Sequence, residues 1–237
     1  MSSSPRLKLP LLDAAQAQKH VTLNEALVRT DALASARVES LMLTVPPGAA
    51  SDGEAYVVGD GATGDWAGED GKLALFLNGG WDFLAPWSGM TVWVEDQRAT
   101  AIFVGGTWLH GRVGGAAGGA ATLTQVAELD HTLAVASVSI TSDVIPDKAI
   151  VLGVTGRVLE PITGAAGWSL GVSGSPDRYG SGYGTALNAF AHGVTGQPQA
   201  YFGATPLEIA ADGGGSFTAG KIRLAVHYAD LQPPVAV

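Results

Sequence analysis

The sequence predicts a mainly β protein: an amino-terminal helix with a small antiparallel hairpin sheet, a Gly/Ala hinge, then a jelly-roll-like β-sandwich. Three observations lead there. Residues 23 to 35 carry the one clear helical stripe, two short segments of the first half repeat a strand, a Gly-Gly turn and a returning Trp, and the second half alternates apolar and polar residues at period two. The division is into an arm at 1–22, a helix plus Trp-rich β domain at 23–112, a linker at 113–122 and a sandwich at 123–237.

The arm contains Asp13, an N-cap type followed by Ala and Gln, so a turn or two of helix is expected from there. Its Ala-Gln surface offers little to bury, which suits attachment to another protein. Leu9, Leu11, Leu12, Gln16, Gln18 and Lys19 are the attachment candidates. Thr22 and Glu25 have the spacing of a capping box, and Leu23, Ala26, Leu27, Thr30, Leu33 and Ala34 then share one stripe.

In the domain that follows, five tryptophans fall within 43 residues. Ala74 to Trp81 and Ala101 to Trp108 both read as strand, Gly-Gly turn and returning Trp, because glycine supplies the positive φ of a tight hairpin and Trp covers its cross-strand neighbour. Tyr56 to Trp66 reads as a longer version of the same device. The run Gly114 to Thr122 is free of charge and rich in Gly and Ala, the composition of a flexible linker. Beyond it, Ile222, Leu224, Val226 and Tyr228 share one face of a half-buried strand, Trp168, Leu170 and Val172 alternate likewise, and Ala149 to Leu159 is a further strand. The count fits a jelly roll, with a small barrel as the alternative.

Composition narrows the function. With 46% hydrophobic residues and 15% charged, the chain can bury a sizeable core. No apolar run is long enough for a spanning helix, and the start lacks the apolar block of a signal peptide, so no membrane insertion and no Sec export are expected. There is no Cys, hence no disulfide, thiolate chemistry or Cys-based zinc site. The net charge is −9, with 8 basic and 13 acidic groups in residues 1–112 and 5 and 9 in residues 113–237. Neither half has the clustered cations that phosphate backbones need, so no nucleic-acid partner is expected.

Several motifs resemble catalytic or cofactor sites, but their contexts argue otherwise. Gly59 to Gly64 matches G-x-G-x-x-G, yet Gly68 and Gly71 follow where a helix must open, which reads as a loop. Gly215 to Lys221 resembles a phosphate-binding loop but places Ile222 where Ser or Thr holds the metal, and continues as strand. Gly167-Trp-Ser-Leu-Gly171 matches a nucleophile elbow, with Asp212 and His227 in hydrolase order, though β-patterned sequence surrounds it. Asp60, Asp65, Glu69 and Asp70 crowd one loop as a solvated acidic turn or a Ca²⁺ site, and no two of the five histidines have a metal-ligand spacing. No catalytic residue, metal or cofactor is assigned. Arg178, Tyr179 and Tyr183, with Phe190 and His192, place aromatic rings beside hydrogen-bonding groups at one loop end of the sandwich, a combination that suits sugar rings.

The set Gln16-Ala-Gln-Lys19, Thr22 to Glu25, Asp31-Ala-Leu33, Ala55 to Gly68, the turn at Trp81 and Trp93 to Asp96 resembles a domain of unknown function found in tailed phages and in gene transfer agents of alphaproteobacteria. Ile150 to Gly153, Arg157 to Leu159, the strand ending Gly171-Val172 and Arg223 to Tyr228 are similar to the carboxy-terminal β-domain that often accompanies it. The resemblance implies a spike or tail-fibre component on the surface of a virion assembled in a bacterium. Its amino-terminal part would bind capsid or tail proteins or other spike and fibre subunits, and its sandwich would contact host surface polysaccharide or a further fibre protein. Such a protein is expected to be a homo-oligomer, trimer or pentamer, and not an enzyme. The alternatives are a glycan-processing hydrolase or esterase on the particle, and a structural adapter with no ligand.

Overall fold

A computed structural model describes residues 3–12, 19–34 and 36–234, with no side chains described for 19–22. Attachment candidates Gln16 and Gln18 lie outside the described residues, as does the expected turn at Asp13, and the Lys19 side chain is among those not described. The chain divides after Arg112 into two units.

The amino-terminal unit is built from one helix and two small sheets. Helix α1 spans Lys19–Ala34, so Thr22 lies inside it and does not cap its start. Strands β1 (Arg37–Val38), β5 (Thr91–Val94), β6 (Ala99–Val104) and β7 (Thr107–His110) form one sheet, and β2 (Ala55–Val57), β3 (Leu73–Leu77) and β4 (Gly80–Leu84) form the other. The expected antiparallel hairpins are there, but β1 joins β5 in parallel. In the β3–β4 hairpin the turn is Asn78-Gly79, both at positive φ, one residue earlier than the Gly-Gly pair suggested; in β6–β7 it is Gly105-Gly106. Each returning Trp sits opposite an aromatic, Trp81 on Phe76 with ring centroids 4.9 Å apart and Trp108 on Phe103 at 5.3 Å.

The third device differs. β2 and β3 pair through a long loop, and Trp66 sits in that loop on a 3₁₀ turn, Gly64–Trp66, not on a return strand. It is fully buried against Tyr56 and Trp81. One face of the β2–β3–β4 sheet therefore carries this aromatic cluster, while Ala55, Val57, Leu73 and Leu75 on its other face join Val38, Val92, Val94 and Ala101. Within the same loop Asp70 accepts backbone N–H bonds from Gly61 and Ala62, which hold its carboxyl below the usual carboxylate range.

The arm is not free of the fold. The Arg6 guanidinium donates to the carbonyls of Gly53 (2.9 Å), Ala32 (3.3 Å) and Arg37 (2.7 Å), and burial pushes its pKa down. The backbone N–H groups of Arg6 and Leu7 donate to the buried Asp31 carboxylate, and the Asn24 side chain brackets Leu12 through both its N–H and its C=O. Because Asp31 must face inward to receive those bonds, α1 presents Leu27, Val28, Asp31 and Ala32 to the unit, and Leu23, Ala26, Thr30 and Ala34 of the expected stripe face solvent. Treating residues 1–22 as a separable arm is thereby corrected for Ser3 to Leu12. Leu9 and Leu11 are half-buried and Leu12 is exposed.

The carboxy-terminal unit is a two-sheet sandwich. A five-stranded sheet has the order β13 (Phe190–Ala200), β11 (Ile150–Thr163), β15 (Ala219–Gln232), β9 (Ala121–Thr132), β8 (Arg112–Gly115); the other runs β10 (Val138–Ile145), β14 (Thr205–Ala211), β12 (Trp168–Gly171). From β9 to β15 successive strands alternate between the sheets, and β9 lies beside β15 along its whole length, the connectivity of a jelly roll. Tyr183 bridges to Trp168 and widens the smaller sheet at its edge. Val154, Val158, Trp168, Leu170, Ile209, Phe217, Ile222, Leu224 and Val226 fill the interior. Residues 113–122, expected as a linker, instead include part of β8, a turn closed by the Ala116 N–H on the Ala120 carbonyl, and the start of β9.

Candidate functional site

The hydrolase-like set does not assemble. Ser169 lies on β12 between the core residues Trp168 and Leu170 and is buried, with its hydroxyl 3.5 Å from the Ala210 carbonyl. Asp212 holds the Gly182 N–H at 2.9 Å, and His227, on β15 of the other sheet, contacts the Thr155 hydroxyl at 3.0 Å. With Trp168 and Leu170 turned inward from one sheet, and Val226 and Tyr228 from the other, Ser169 and His227 point away from each other across the sandwich. No strand, turn and helix elbow surrounds Ser169. Among the described residues no group of three or more His, Asp and Glu could hold a metal ion, and Glu69 of the acidic loop is paired with Lys72.

The glycan candidates separate into two groups. Tyr179 is buried, its hydroxyl shares a 2.8 Å hydrogen bond with that of Tyr201, and burial pushes its pKa up. The absence of a side chain at Gly193 makes this possible, since a Cβ there would stand 2.2 Å from the Tyr179 carbonyl oxygen. Tyr183 packs its ring on Trp168 at 5.0 Å and donates its hydroxyl to the Tyr179 carbonyl, and burial raises its pKa too. Arg178 donates to the Gln197 carbonyl at 3.2 Å. The two tyrosines close the core.

Phe190 and His192 behave differently. They project from the outer face of β13, and register places them in rows that cross the five-stranded sheet. One row runs Phe190, Arg157, Arg223, Asp130; the next runs His192, Thr155, Ala225, Glu128. All of these side chains except Asp130 line an open groove of about 320 Å³. Phe190 is 62% exposed, with the Arg157 guanidinium 5.6 Å from its ring centroid, and Arg157 donates to the Asn188 carbonyl at 2.9 Å. Arg223 spans Asp130 with bonds of 2.6 and 3.1 Å, and this pairing lowers the Asp130 pKa and raises that of Arg223. The groove thus offers an aromatic face, a guanidinium and hydroxyl, imidazole and carboxylate groups over a low floor at Gly156, Ala191 and Ala225. Its arginines and acids were missed from sequence. The available signal was alternation, since Arg223 and His227 occupy the positions between Ile222, Leu224, Val226 and Tyr228.

The amino-terminal unit has a recess of about 480 Å³ lined by Leu41, Met42, Val58, Trp108 and Gln97 among others, and the buried side-chain amide oxygen Oε1 of Gln97 has no hydrogen-bond partner among the described residues. Three leucines on the arm and helix, Leu7, Leu12 and Leu23, are between 43% and 48% exposed.

Residues 23–109 match a family described as "Protein of unknown function (DUF2793)". No curated protein matches the chain. Among solved structures, a chain of the "Cyanophage Pam1 capsid asymmetric unit" is similar at 24% identity over 51% of this chain and 91% of its own, with a TM-score of 0.35. A superposition that loose does not establish a common fold.

Proposed function

We propose that the protein is a structural component of a phage or gene-transfer-agent particle, a head spike or tail-fibre subunit. Its amino-terminal unit attaches to capsid, tail or other fibre proteins, and its jelly roll contacts host surface polysaccharide. The observation that carries this reading is the groove on the outer sheet, where the exposed Phe190, His192 and Arg157 stand beside the half-buried Thr155. An exposed ring beside fixed hydrogen-bonding groups suits a pyranose, whose C–H face packs on the aromatic while its hydroxyls meet polar side chains. The separation of Ser169 from His227 supports binding without turnover.

Attachment draws on the resemblance of residues 7–110 to particle proteins and on the exposed leucines Leu12 and Leu23. A shallow groove holds one sugar weakly, so several copies acting together supply the avidity, which favours a trimer or pentamer. Electron microscopy of intact particles, with an antibody fragment against the jelly roll as a fiducial, tests the assignment. Label on the particle exterior is expected, and label absent from particles or confined to their interior contradicts it.

A further inference from the structure

We infer that the groove on the outer sheet selects acidic polysaccharide, with Arg157 gripping the carboxylate of a uronic-acid-type sugar whose ring packs on Phe190. This rests on the glycan reading above and sharpens it to a chemical class. The decisive feature is the state of Arg157. Within the groove, Arg223 is already paired: Asp130 takes two of its N–H groups and Glu128 lies 3.6 Å away. Asp130 also faces Lys221 at 3.3 Å. Arg157 forms an ion pair with no described carboxylate, in a chain whose acids outnumber its bases 22 to 13.

Arg157 is nevertheless fixed in place. One guanidinium nitrogen donates to the Asn188 carbonyl, and the guanidinium carbon lies over the Phe190 ring, 5.6 Å from its centroid, which leaves the other face of the ring for a sugar. A guanidinium held this way loses little further freedom on binding, and its planar fork matches a carboxylate in two-pronged geometry. The neighbours complete a sugar site. Thr155 and His192 stand in the next row and can meet ring hydroxyls, while Ala225 leaves the floor low enough for a ring to lie flat. On the far side Glu128 is an acceptor for hydroxyl groups and would repel a carboxylate set the wrong way round, which orients the sugar with its acid toward Arg157.

The net charge of −9 also matters. It opposes indiscriminate attraction of polyanions, so preference for an acidic glycan must come from this local contact and not from the overall field.

The test uses the full chain and three polymers: polygalacturonate, its methyl ester and dextran, alongside polysaccharide isolated from the host. Polygalacturonate should bind about tenfold tighter than its methyl ester, which keeps the ring and masks the charge. Arg157→Gln should reduce binding of the acid form to the level of the ester and leave the ester unchanged. Arg157→Lys should recover part of the preference, and Phe190→Ala should weaken both polymers. Near-ultraviolet circular dichroism confirms that each variant is folded. Equal binding of acid and ester, or an Arg157→Gln variant indistinguishable from the parent on polygalacturonate, overturns the acidic assignment while leaving glycan binding intact. No binding to any of the three polymers or to host polysaccharide overturns both.

Discussion

The two units handle charged groups in opposite ways, although each also buries hydroxyls, Ser4 and Ser40 in the first and Ser139, Thr141 and Ser169 in the jelly roll. In the amino-terminal unit, polar side chains are drawn inward as fasteners: Arg6 reaches three backbone carbonyls, Asp31 is buried to receive two backbone N–H groups, and Ser4, also buried, accepts from Leu9. In the jelly roll a single apolar core lies between the sheets, and the charged groups are left in rows on the outer face. A unit fastened by a few buried polar bonds depends on each of them, because an orphaned partner bears the full cost of desolvation. A unit held by area can dedicate its outer face to recognition, since exposed side chains there change stability little.

The comparison can be broken at its strongest points. Trp168→Ala, which empties the centre of the jelly-roll core, should cost about 3–5 kcal/mol and lower one calorimetric transition while leaving that of the amino-terminal unit in place. Asp31→Ala should do the reverse, removing about 2–3 kcal/mol from the amino-terminal unit alone, by the usual strength of hydrogen bonds to a charged acceptor. Equal loss from both units in either variant would end the distinction. Tyr201→Phe leaves the Tyr179 hydroxyl without its partner inside the core and should cost about 1 kcal/mol in urea unfolding.

Alkaline pH sharpens the contrast. Burial raises the phenol pKa values of Tyr179, Tyr183 and Tyr228 in the jelly roll, whereas in the amino-terminal unit Tyr56 is the one so shifted, pushed up to about 12 by burial and its bond to Glu54. The folded chain keeps protons that the unfolded chain releases near the ordinary tyrosine value of about 10. Their stabilisation is therefore intact below that pH and is lost as pH rises through the folded values. The jelly roll should lose stability more steeply between about pH 10 and 12 than the amino-terminal unit, as followed by melting each transition across that range. Smallest in stability are Leu12→Asp and Leu23→Asp, expected within about 0.5 kcal/mol of the parent, yet together these should abolish incorporation into particles measured by immunoblot.

Hairpins and sandwich were legible in the sequence because their signals are local. Positive-φ residues before Trp81 and Trp108 dictate tight turns, and period-two alternation from Lys221 to Tyr228 survives in the observed burial. The helix face was not legible, because the rule that apolar residues turn inward fails where a carboxylate, Asp31, is recruited by a segment some 25 residues earlier. The Gly/Ala run misled for a related reason: backbone pairing of β8 with β9 needs no side-chain signal. In the site, Phe190 and His192 stood out by composition, but Tyr179 and Tyr183 carry the same chemistry and close a core instead. Arg157 and Arg223 reach the groove through pairings between distant strands, so their neighbourhood depends on register that no local pattern contains.

The central claim is a division of labour, with attachment in the amino-terminal unit and recognition on the outer sheet. Particles assembled with the Arg157→Gln, Phe190→Ala double variant test it most directly, by counting both incorporated protein and particles adsorbed to host cells. Normal incorporation with adsorption reduced at least about tenfold is the predicted result. Adsorption equal to that of the parent, at equal incorporation, would contradict it.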